Sequence, residues 1–195
     1  MSIDIVVLGV KCEWQLKDNG SYCGTVLRRE ASSDDVQINE VLKDVFAIII
    51  HELNVQFLNK EAFIAEMAWA WSTFMRKNKK LVGDILHNKR QRPHFPTTID
   101  VLNTEIVWRE EDPGMWEPNG MGRVNTMKGL ITTRKDMPTA ILYNVLIHEV
   151  IHVMFDILGT QEADDEKIVS VLAQAIVSFI RENKDFIEWM QDVST

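Results

Sequence analysis

Residues 148–152 of this 195-residue chain read His-Glu-Val-Ile-His. Two histidines four positions apart lie one turn from each other on one face of a helix, so both imidazoles can reach a single metal ion. A zinc ion held by two imidazoles and one carboxylate keeps a fourth position for water, whose pKa then falls towards about 7. Glu149, beside the first histidine, can take the proton from that water and hand it to a leaving amine. The chemistry implied is hydrolysis of a peptide bond, with His148 and His152 as zinc ligands and Glu149 as general base. The competing reading is a pair of core histidines satisfied by backbone or carboxylate groups.

Such a site needs one more protein ligand. The residues after His152 run Val-Met-Phe-Asp-Ile-Leu-Gly, which excludes the HExxHxxGxxH extension, and no histidine follows. A carboxylate must therefore serve, and Glu162, Asp165 and Glu166 are the candidates. Glu166 is favoured because it opens the next helix. Asp165 has a claim of its own, although an aspartate there more commonly caps the helix. A first-turn glutamate such as Glu166 also suits the helix dipole without any metal.

The element that carries the motif is well marked. Asp136 and Pro138 signal a start and Gly159 a stop, which predicts a helix near 138–158. Along it Asn144, His148, His152 and Asp156 fall at steps of four, a polar stripe on a helix otherwise rich in Ile, Leu, Val, Met and Phe. A polar stripe on a mostly buried helix needs partners, and a metal ion would provide them for the histidines.

Internal similarity organises the rest of the chain. FAIIIHE ends at Glu52 and YNVLIHE at Glu149, an offset of 149 − 52 = 97 residues. EAFIAEMAWAWSTFMRKN begins at Glu61 and EKIVSVLAQAIVSFIREN at Glu166, an offset of 166 − 61 = 105 residues. Ile3-Asp4-Ile5-Val6 likewise matches Ile99-Asp100-Val101-Leu102. The order of the blocks predicts a tandem duplication, an α+β fold of two similar halves, each with short strands and a helix pair. Residues 1–86 form the first half, 87–98 (HNKRQRPHFPTT) a linker, and 99–195 the second half. Strands are expected near 3–8, 22–28, 99–109 and 121–133, and helices near 39–58, 61–77, 138–158 and 164–182. Val55 stands where the second half has His152, so the first half reads as a copy without the metal site.

Composition narrows the class. Hydrophobic residues at 46% and charged residues at 26% suit a globular protein with a real core. A net charge of −8 repels phosphate backbones and argues against nucleic acid as a direct partner. The start MSIDIVVLGV lacks a basic n-region and reads as a strand, and no apolar run reads as a membrane span. Two cysteines, Cys12 and Cys23, fit reduced thiols in the cytoplasm better than a secreted disulfide framework. With His87 and His94 they match no standard zinc spacing. Met67, Trp69, Trp71 and Phe74 are expected to be packing residues.

The stretch MGRVNTMKGLITTRKDMPTAILYNVLIHEVIH, residues 121–152, resembles the core of short phage- and bacterium-encoded metallopeptidases of the minimal gluzincin kind, similar to the ImmA/IrrE and SprT-like proteins. The resemblance covers about residues 96–183, and only its HExxH part is sharp. It implies a zincin-like fold and a peptide or protein substrate. It also implies a third ligand on the following helix, by position Glu166. The strand before the active-site helix would pair with an extended peptide, making Gly122, Arg123 and Val124 substrate-binding residues. Two departures stand out: the Glu-Ala-Asn context of the third ligand is absent, and the extra N-terminal half is not part of the minimal form. Tyr143 and Arg123 are the nearby candidates for stabilising an oxyanion, and Tyr143 reads better as a packed helix residue. The runner-up function is a catalytically inactive zincin-like module that binds or regulates a partner.

Overall fold

A computed structural model describes residues 2–8, 10–15, 34–52, 59–87, 92–93, 95, 97–118, 120–160 and 165–193. The fold is mixed α+β, with six helices, a four-stranded mixed sheet and a separate two-stranded hairpin among the described residues. The chain divides into two compact units, residues 80–177 and residues 1–79 with 178–195. The linker expected at 87–98 lies inside the first of these, and half of it falls outside the described residues.

In the unit of residues 80–177, β3 (Thr97–Val101) and β4 (Thr104–Glu111) form an antiparallel hairpin. The single strand expected at 99–109 is thus two strands, turned at Leu102 and Asn103. Both have positive φ, 51° and 66°, as a two-residue hairpin loop of the mirror-image type requires. Asn tolerates that conformation, and Asn103 N–H donates to Asp100 Oδ1 at 2.9 Å, closing the turn. The expected strand 121–133 also splits. β5 (Gly122–Asn125) and β6 (Leu130–Arg134) are joined by a single 3₁₀ turn and by Gly129, whose φ is 56°.

The sheet order is β3-β4-β6-β5, with β4 and β6 parallel and the other pairs antiparallel. β5 therefore lies at an edge. Ile106 and Trp108 of β4 and Ile131 of β6 are buried on one face, and Trp108 Nε1 donates to Thr133 Oγ1 at 3.0 Å. Helix α4 (Thr139–Leu158) contacts β5, β6 and β3 through an almost wholly apolar surface. It starts after Pro138 and stops at Gly159, whose φ of 67° gives a left-handed cap, as the sequence predicts. By length and hydropathy α4 is also the one described helix able to cross a membrane, contrary to the reading of its sequence. More than half of its apolar window is buried inside the fold, the pattern of a core helix in a soluble protein.

The other unit contains the hairpin of β1 (Ser2–Val7) and β2 (Val10–Gln15), with α1 (Asp34–Glu52) and α2 (Lys60–Lys77). Its second strand is β2, while the one expected at 22–28 lies outside the described residues. α1 begins five residues before the expected start, with Asp34 and Asp35 in a first turn where acidic groups suit the helix dipole. Met67, Trp71 and Phe74 are buried as expected, but Trp69 is 47% exposed, because it lies on the opposite side of α2 from that stripe.

The short helix α3 (Lys79–Leu86) follows α2, and α6 (Lys184–Asp192) follows α5 (Glu166–Glu182). The end of α5 and all of α6 belong with residues 1–79. There the buried Asn183 clasps strand β1: Val6 N–H donates to its Oδ1 at 2.6 Å, and its Nδ2 donates to Val6 O at 2.7 Å.

Candidate metal centre

His148 and His152 lie near the middle of α4, and Glu166 is the first residue of α5. Their polar atoms converge. His148 Nε2 lies 3.1 Å from Glu166 Oε2, His152 Nε2 lies 3.3 Å from Glu166 Oε1, and the two Nε2 atoms are 3.2 Å apart. Among the described residues these three form the one group of metal-ligand side chains close enough to share an ion. Both histidines are largely shielded, whereas the Glu166 side chain is 74% exposed. Burial, and then the neighbouring His152, hold the His148 imidazole below its ordinary pKa, against the opposing pull of Glu166. A neutral imidazole is the form that ligates metal.

The other two carboxylate candidates sit differently. Asp165 caps α5, its Oδ1 accepting from Lys167 N–H and Ile168 N–H at 3.0 Å each. Glu162 lies outside the described residues.

Glu149 is 5% exposed and lines the same cleft as His148 and Glu166. Burial, reinforced by the charge of Glu166, pushes its carboxyl up to about 8. Gly122 of β5 runs directly against it. A Cβ on Gly122 would collide with Glu149 Oε1 and with Val145 Cγ1, so the absence of a side chain there lets the edge strand approach the base.

The cleft encloses about 570 Å³ between the start of β5, α4 and α5. Of the three substrate-binding residues suggested by resemblance, Gly122 lines it and the other two do not. Arg123 projects from the other sheet face, bonded to Glu111 and stacked 4.8 Å from the Trp116 ring, while Val124 lines a second hollow. Tyr143 is fully buried, as its helix position suggests, and is absent from the cleft wall.

Ser170 is the site residue that the sequence reading missed. Its Oγ lies 3.3 Å from His148 Nδ1, the ring nitrogen turned away from the converging group. A hydrogen bond at that nitrogen fixes ring orientation and tautomer in metal-binding histidines. The signal was present, since Ser170 is four residues after Glu166 and so shares its face of α5.

Comparison with known proteins gives no family model, no curated protein and no solved structure that matches this chain.

Proposed function

We propose that this chain is a zinc-dependent metallopeptidase that hydrolyses peptide bonds, with His148, His152 and Glu166 holding the metal and Glu149 acting as general base. The observation that carries the reading is the spacing of the three donor groups. Ligand atoms 2.0–2.1 Å from a tetrahedral zinc stand roughly 3.3 Å apart; the two Nε2 atoms are 3.2 Å apart, and each lies against a different oxygen of the Glu166 carboxylate, at 3.1 and 3.3 Å. Two imidazoles and a carboxylate are also the donor set of hydrolytic zinc sites that keep a coordination position open.

Zinc would supply Lewis acidity at the scissile carbonyl and acidify the attacking water. The chain's own groups do the rest. Glu149, facing the cleft beside His148, would act in its carboxylate form, which a bound cation would favour against the effect of burial, taking a proton from water and delivering it to the leaving nitrogen. Ser170 holds the His148 ring, and Gly122 brings the edge strand up to the base. A regulatory module without catalysis would have no use for a buried carboxyl in that place.

The resemblance to ImmA/IrrE- and SprT-like proteins belongs to the same proposal, as do a zincin-like fold and a cytoplasmic setting. The tandem origin of the halves is supported by burial. At offset 105, Met67, Ala68, Ala70, Trp71, Phe74 and Met75 correspond to Leu172, Ala173, Ala175, Ile176, Phe179 and Ile180, and all twelve are buried.

The test is the metal content of purified protein by elemental mass spectrometry, together with His152→Ala. One zinc per chain, lost in the variant, is the expected result. Protein that stays zinc-free after supplementation would return the histidines to the role of core residues.

A further inference from the structure

The free edge of β5 divides two surfaces of opposite chemistry. Arg134 N–H donates to Met121 O at 3.0 Å, continuing the β5–β6 register. In an antiparallel ladder this alternation turns the backbone groups of residues 121, 123 and 125 towards β6 and those of Gly122 and Val124 outward. A peptide strand laid along the edge would pair with those outward groups, and its side chains would alternate between the two sheet faces.

On the α4 face they would enter the cleft. Beside His148, Glu166 and Glu149, its walls carry Met121, Ile141, Val145 and Ala173 with the uncharged amides of Asn144 and Gln174. Met121 and Ile141 are 47% and 43% exposed, apolar surface left open at the rim. On the opposite face lies a hollow of about 340 Å³ whose lining includes Arg109, Arg123 and Lys128. The lining itself holds these three cations and no carboxylate, and Glu111 meets Arg109 at 2.9 Å and also meets Arg123, on a chain whose net charge is −8. Arg123 belongs to the edge strand itself, where a paired peptide would be its direct cross-strand neighbour.

Resting on the peptide-hydrolase reading, we infer that the substrate is an extended segment in which apolar residues, facing the cleft, alternate with acidic residues facing Arg123 and Lys128. Each face then selects a different feature of one strand: the cleft removes apolar side chains from water, and the basic hollow attracts carboxylates.

Three synthetic peptides test this, identical at the alternate apolar positions and carrying Glu, Gln or Lys between them. With zinc-loaded protein, the Glu peptide is expected to be cut with a kcat/KM roughly tenfold above the Lys peptide. The gap should shrink at high salt. Arg123→Gln should narrow it and Arg123→Glu reverse it, with zinc content and circular dichroism unchanged. Binding to zinc-loaded Glu149→Gln, followed by fluorescence anisotropy, should rank the peptides in the same order without cleavage. Equal rates and equal binding for the Glu and Lys peptides would overturn the acidic half of the inference. Undiminished cleavage after the apolar positions are changed to Ser would overturn the apolar half. Zinc-bearing protein that cuts none of the peptides would instead remove the hydrolase reading, and this inference with it.

Discussion

The same His-Glu pair ends α1 and lies inside α4, with opposite consequences. In α1, His51 and Glu52 are the last two residues of the described helix, their side chains 79% and 49% exposed and bonded only to each other at 3.3 Å among the described residues. In α4, nine residues of helix follow Glu149, one of which is His152, and α5 brings Glu166 and Ser170 to the same face. The partners at offset 105 differ as well: Ser170 corresponds to Ala65, and the cleft-lining Gln174 to the exposed Trp69. In α4 the next turn of the helix supplies His152, and a second helix returns Glu166 to meet it.

The largest effect that separates the halves should come from their glutamates. Glu149→Gln is expected to keep zinc and lower kcat about 10²- to 10⁴-fold, the usual worth of a positioned acid–base group. Glu52→Gln should leave turnover unchanged. Steady-state kinetics on both variants decides it, and comparable losses would erase the distinction.

The same pair should differ in the metal-free protein. Glu149 has a folded-state pKa of about 8 against a reference of 4.5, so its protonated form stabilises the fold. That contribution is whole below about 4.5 and is lost as pH rises to about 8, at up to about 1.4 kcal/mol per pH unit. Chelator-treated wild type should therefore lose this contribution between pH 5 and pH 8. Glu149→Gln should flatten that slope in denaturant midpoints, measured beside Glu52→Gln. A slope indifferent to Glu149→Gln would mean that the carboxyl is not held neutral.

Next in size is Ser170→Ala, which makes the second half resemble the first at that position. Zinc affinity, measured by chelator competition, should weaken about 10- to 100-fold. An unchanged affinity would show that the His148 ring is oriented without the hydroxyl.

A comparable or smaller effect concerns what the halves share. Asn78 and Asn183, also 105 apart, are both buried, and each donates Nδ2 to the carbonyl of the phenylalanine four residues earlier, at 2.8 Å. Asn183→Ala and Asn78→Ala should each cost about 1–3 kcal/mol, the penalty for stranding buried polar groups. Thermal denaturation of the two variants checks this, and a neutral result at one position would break the equivalence.

The convergence of His148 and His152 was legible because helical spacing alone places them on one face with Glu149 beside the first, and the lack of a later histidine left only carboxylates as a third candidate. Glu166 does open α5 and lies against both histidines, and Asp165 takes the commoner role of a helix cap. The helix limits at Pro138 and Gly159 were legible from backbone chemistry. The hairpin turns were written in the sequence too, in Asn103, Asn125 and Gly129, but an apolar alternation running through them hid the break. Which face Arg123 takes was not legible. It depends on the register of β5 against β6, a non-local pairing that no single segment encodes.

The clasp between Val6 and Asn183 spans 177 positions of sequence. During synthesis Asn183 is made 177 positions after Val6, so this clasp on β1 has to wait for residues that come much later in the chain. The unit that carries His148, His152 and Glu166, residues 80–177, has all its residues sooner. The unit of residues 80–177 can thus begin to fold while α1 and α2 still wait for their final strut.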